Sequence, residues 1–82
     1  MSHVARIRSF LQTSLESREH PTEVDCGYQT VTGATGEVLL QLATFGSDHR
    51  KSQPKVSQTL QLNREAAALL IDILRTAFPG IR

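Results

Sequence analysis

The chain has one cysteine, one methionine and no tryptophan. A single thiol cannot close an internal disulfide, and a small secreted domain without one would be unusual, so a reducing, cytoplasmic setting is expected. Cys26 then reads as a small core hydrophobe rather than a reactive thiol. Aromatic residues make up only 5% of the sequence, three Phe and one Tyr, which excludes an extended base-stacking surface. Neither sign of charge dominates. Nine Lys and Arg stand against eight Asp and Glu, a net charge of +1, so nucleic-acid binding would have to come from local charge. No apolar run approaches the roughly 20 residues of a membrane span. The opening segment carries Arg6 and Arg8 but leads into no uninterrupted apolar stretch of the kind a signal sequence needs.

Chemistry-bearing motifs are equally sparse. His3, His20 and His49 are scattered, with no pair at the spacing of a zinc site, so no metal is expected. No glycine-flanked serine, phosphate-cradling glycine loop or paired carboxylate stands at a strand end. Glu23 and Asp25 share a strand face, which a solvated edge explains. The sequence therefore reads as that of a non-enzyme without a cofactor. An active site assembled from two chains is the residual enzymatic alternative.

What is present suits one small α+β domain, residues 1–82. Hydrophobic residues at 39% and charged residues at 21% are globular values. So short a chain removes only about 60 to 65 percent of its unfolded surface from water, which leaves a thin margin for a monomer. Val4, Ile7, Leu11 and Leu15 recur at helical spacing and predict a first helix from Val4 to about Ser17, ended before Pro21. From Thr22 the period changes to two, with Val24, Cys26, Tyr28 and Thr30 on one side of a first strand. Gly27 interrupts that strand and suggests a bulge or a close approach of backbone. Thr32 to Gly36 reads as a turn, with two glycines available for positive φ, so a hairpin follows.

The second strand, Glu37 to Phe45, is partly apolar on both faces, as a central strand would be. A third, Val56 to Leu62, alternates more cleanly, with Ser57, Thr59 and Gln61 on a solvated side. Asn63 is a natural N-cap for a second helix from Arg64 to about Phe78, closed by Pro79-Gly80. The predicted order is α-β-β-β-α, with a three-stranded antiparallel sheet packed by the C-terminal helix. Apolar residues fill roughly 200 degrees of that helix's circumference. Ala66, Leu70, Ile73 and Ala77 would face the strands. Ala67, Ile71, Leu74 and Phe78 are left for a flank that either the first helix, in a monomer, or a second copy would cover, and the thin margin of so short a chain favours a homodimer through paired helices.

The one local excess of positive charge is the loop Gly46 to Lys55. Its Arg50, Lys51 and Lys55, joined by His49, could contact phosphate oxygens, while Phe45 and Tyr28 offer ring faces to unstacked bases. A hydrophilic connection facing water would show similar residues. The succession Gly36-Glu37-Val38-Leu39-Leu40-Gln41-Leu42-Ala43-Thr44-Phe45, a charged loop, Ser57-Gln58-Thr59-Leu60-Gln61-Leu62 and an immediate long helix resembles the single-stranded-DNA-binding transcriptional positive cofactor family and its bacterial relatives, over about residues 28–78. The resemblance implies a curved antiparallel sheet, a C-terminal helix through which two chains pair, Phe45 at the family's aromatic position and Arg50, Lys51 and Lys55 in its basic loop. Ala43 stands where the family has an arginine, and Ser57-Gln58 replace its lysine-glycine pair. A predicted helix also occupies the place of its additional N-terminal strand. The expected function is non-enzymatic binding of single-stranded DNA or RNA by a homodimer, with a role in transcription. The alternative is a small protein–protein interaction module or accessory subunit docking a larger partner.

Overall fold

The two alternating segments form the middle of a sheet, with a strand from the start of the chain on one edge and the hairpin partner on the other. The computed structural model describes residues 3–45 and 56–82. In chain order the elements are β1 (His3–Arg6), β2 (Cys26–Thr32), β3 (Val38–Phe45), β4 (Val56–Leu62) and α1 (Arg64–Ala77). The strands lie side by side in the order β1-β4-β3-β2. β2, β3 and β4 pair antiparallel, whereas β1 runs parallel to β4. The sheet is thus four-stranded and mixed, not three-stranded and antiparallel, and among the described residues there is one helix rather than two.

The N-terminal helix is the main correction. Its apolar spacing is helical, but Ser9, Thr13, Ser14 and Ser17 are weak helix formers, and a helix of that length is marginal without packing. β4 meanwhile has an open edge of backbone N–H and C=O groups. His3–Arg6 fill it, and the pairing continues as the Ile7 N–H donates to the Gln61 carbonyl at 2.9 Å. From there the chain must pass to the opposite edge of the sheet, about 14 Å away across three strand spacings. Residues 7–25 make that crossing without regular secondary structure, leaving Leu11 and Leu15 about 80% exposed.

The hairpin forms as expected. Between β2 and β3 the Gly33 N–H donates to the Glu37 carbonyl at 2.6 Å, and the Gly36 N–H to the Gly33 carbonyl at 3.0 Å. Only Gly36 takes a positive φ there, 84°, so one of the two turn glycines needs its freedom. β2 starts four residues later than its periodicity suggests, at Cys26, so Val24 lies outside it. Cys26 is exposed rather than a core residue, because it opens an edge strand.

α1 begins one residue after β4. The Asn63 side-chain oxygen accepts from the Ala66 N–H at 2.9 Å, the capping contact the sequence promises, and Glu65 occupies the first turn. Asn63→Ala is expected to lower stability by about 1 kcal/mol, the usual worth of such a cap, as read by chemical denaturation. Phe78 closes the helix, its N–H donating to the Leu74 carbonyl at 2.8 Å, and Gly80 follows at φ 99°.

The core is small. Leu39, Leu62, Ala66 and Thr59 are its buried residues among those described. α1 meets the sheet mainly along β4, so only its first two turns pack: Ala66 is buried and Leu70 half-buried, while Ile73 and Ala77, expected on the strands, are exposed. The expected flank is open as well, with Ala67 half-buried and Ile71 at 46%, Leu74 at 38% and Phe78 at 60% exposure. The chain exposes 7764 Å² in all. A compact monomer of its mass would expose about 4,900 Å². Its radius of gyration, 14.9 Å, likewise exceeds the roughly 12 Å of a compact chain this long.

Candidate nucleic-acid interface

Register decides which side chains share a face, because alternate residues on a strand point to opposite sides and partners across a pair point to the same side. Tyr28, Leu42, Leu60 and Ala5 line up across the four strands, with Thr30, Leu40 and Leu62 beside them. This is the apolar face. On it Tyr28 is 79% and Leu60 40% exposed. The opposite face carries three rows: Gly27, Ala43, Thr59 and Val4, then Gln29, Gln41, Gln61 and Arg6, then Val31 with the buried Leu39, so it is polar in its middle and apolar toward the hairpin turn. β4 departs from the expectation for its two sides at its centre, while at its end Leu62, on the expected core side, is buried as predicted. Thr59, assigned to a solvated side, is buried at the centre of the sheet between Ala43 and Val4, while Leu60 on the supposed core side is exposed.

Phe45 sits at the corner of the polar face. A bulge falls between Thr44 and Phe45, so that Thr44 pairs with Gln58 but Phe45 with Val56. The Phe45 N–H donates to the Asp25 carbonyl at 3.1 Å, tying the end of β3 to the start of β2. The ring then lies over Gly27: a Cβ there would stand 3.3 Å from its Cε2 and Cζ atoms. Gly27 thus marks a close approach, but of an aromatic ring rather than of backbone, and the expected irregularity lies on β3 instead. Beside the ring is an open hollow of about 250 Å³, lined by Gly27, Tyr28, Gln29, Gln41, Ala43 and Phe45. That is below the range of pockets enclosing a drug-sized ligand and nearer the scale of one planar ring.

The polar row is partly wired together. Gln61 Nε2 donates to Gln41 Oε1 at 2.9 Å, and Arg6 forms an ion pair with Glu37 at 3.1 Å. Both partners of that pair are well exposed, so it orients the guanidinium more than it stabilises the fold. Nothing in the sequence pattern singles out these glutamines individually, since each occupies an ordinary polar position. Their alignment was nonetheless available: a turn centred near residue 35 makes 29 and 41 partners, and a connection centred near 51 makes 41 and 61 partners.

Of the residues expected to touch nucleic acid, Phe45 and Tyr28 both line this hollow. The register puts the Tyr28 side chain on the face opposite Phe45, beside Leu42, so Tyr28 borders the hollow without forming one stacking platform with the Phe45 ring. His49, Arg50, Lys51 and Lys55 lie outside the described residues. Among the described residues no three His, Cys, Asp or Glu side chains gather as metal ligands, and no helix is long and apolar enough to cross a membrane.

No protein family, curated protein or solved structure matches this chain. Its functional reading rests on its own geometry and residue chemistry.

Proposed function

We propose that this chain is a non-enzymatic, homodimeric domain that binds single-stranded DNA or RNA, using Phe45 and the polar face of its sheet together with the basic loop after β3. The observation that carries the reading is the position of Phe45. It is the last residue of β3, it edges an open hollow of one-ring scale, and the segment with His49, Arg50, Lys51 and Lys55 follows it directly in the chain. A ring face for a base and cations for the adjoining phosphates are the two parts that single-strand binding needs. A strand, β1, stands where the sequence resemblance has one and where a helix was expected, although it runs parallel to β4.

Pairing of two chains is supported by the exposed apolar residues of α1. Leu69, Ile71, Ile73, Leu74 and Phe78 of the α1 region are exposed at 38 to 60%, and the whole chain, with its exposed N-terminal crossing, shows roughly 2,900 Å² more surface than a compact monomer. A standard interface takes about 800 Å² from each partner. A second copy is the fitting occupant, because the near-zero net charge gives no electrostatic preference for a different protein. A protein-docking module is the second reading, favoured by the free outer edge of β2, which could accept an added strand.

The test is titration of labelled single-stranded oligonucleotides across salt concentrations. Replacing Arg50, Lys51 and Lys55 together by alanine is expected to weaken binding to every sequence and to flatten the dependence of log affinity on log salt by about 2, the share of three phosphate contacts. No association at low salt, or a triple variant indistinguishable from the wild type, overturns the reading.

A further inference from the structure

Deepening that proposal, and resting on it, we infer that the glutamine row of the polar face selects the base: Gln29 and Gln41 form an adenine-preferring subsite beside the Phe45 ring. The two amides are partners across β2 and β3, and both line the hollow that the ring borders. Gly27, under the ring, and Gln29 are two residues apart on one strand, a separation of about 7 Å on the same face. A base stacked on Phe45 and lodged in the hollow therefore presents its edge to both amides.

The chemistry of the lining sets the preference. A glutamine amide offers one acceptor and a pair of donors side by side, which matches the adjacent donor and acceptor on adenine. Guanine is best met by a free guanidinium and cytosine by a free carboxylate. On this face the guanidinium of Arg6 and the carboxylate of Glu37 face each other at 3.1 Å outside the hollow, whose lining supplies the amides of Gln29 and Gln41 as the readers. The hydrogen bond from Gln61 to Gln41 holds Gln41 in place and occupies part of its acceptor, while its donors remain for a ligand. Gln29 is exposed at the outer strand.

The probe is a thymidine 12-mer compared with the same strand carrying one central adenine, with binding read by fluorescence anisotropy on the full chain. The wild type is expected to favour the adenine strand about fivefold or more, the low end for one bidentate contact. Gln29→Met changes an exposed side chain and should bring that ratio to near one while leaving the salt dependence unchanged. The double variant Gln41→Met, Gln61→Met removes both members of the internal hydrogen bond together and should act the same way. If the wild type binds both strands equally, or Gln29→Met keeps the preference, the base-selecting role is wrong and the binding proposal stands. If neither strand binds at low salt, both fall together.

Discussion

Placing aspartate at Ile71 and Leu74 together is expected to abolish the fold, although both side chains are exposed in a single chain, at 46% and 38%. For a monomer the same change would be close to neutral, because substitutions at exposed sites usually stay within about 0.5 kcal/mol. The two assembly states therefore predict opposite results. A lone chain has Leu39, Leu62, Ala66 and Thr59 as its buried residues among those described, too small a core to offset the entropy of ordering a chain this long. Pairing along α1 and the apolar sheet face would supply the missing burial. Two charges set against their own copies in an apolar seam would remove it. The wild type should sediment at twice 9.1 kDa, with a melting temperature that rises with protein concentration. The variant should sediment as single chains lacking near-ultraviolet dichroism. A folded variant with the wild-type mass and melting temperature would refute the pairing.

The parts of this fold that the sequence discloses are those set by neighbours in the chain. β3 and β4 alternate, Asn63 caps, and Pro79-Gly80 stops the helix, so their boundaries are legible to within a residue or so. The hairpin turn is local for the same reason. The N-terminal segment misleads because its fate is decided by a partner far along the chain: His3 pairs with Gln58 and Arg6 with Gln61, a parallel register that periodicity cannot express. The spacing of Ile7, Leu11 and Leu15 is real, but the open edge of β4 takes the start of this segment into a strand, and Phe10 and Leu11 border a hollow beside Ile73 and Ala77 of α1 without forming a helix.

Burial in the second half shows a related limit. Of the β4 face expected inside, Leu62 is buried but Leu60 is 40% exposed, because α1 starts one residue after Leu62 and meets the sheet mainly along β4. At the candidate site, Phe45 was readable as an aromatic at a strand end. That Tyr28 lies on the other face follows only from the pairing of Gly27 with Ala43 and from the ring over Gly27. A site built across strands is written in register, and register emerges from turn lengths summed over the sheet.

The contact between Phe45 and Gly27 provides the second large effect, because it separates binding from stability. Phe45→Ala is expected to weaken single-strand binding about 5- to 150-fold, the range for one lost aromatic stack of 1 to 3 kcal/mol. Gly27→Val should reach much of that loss by another route. Valine is favoured over glycine in strands, but its Cβ would stand 3.3 Å from the Phe45 ring, so the ring must shift from its place beside the hollow to make room for the branched side chain. In the Phe45→Ala background that obstruction disappears. There Gly27→Val should raise stability by roughly 0.5 to 1 kcal/mol, from reduced chain entropy in the unfolded state, and should cause no further loss of binding. The pair is thus expected to be non-additive in both affinity and melting temperature, as touching residues are. Dissociation constants and melting curves for the four proteins measure this directly. Additive losses, or a Phe45→Ala protein that binds like the wild type, would show that the ring is packing for β2 and takes no base.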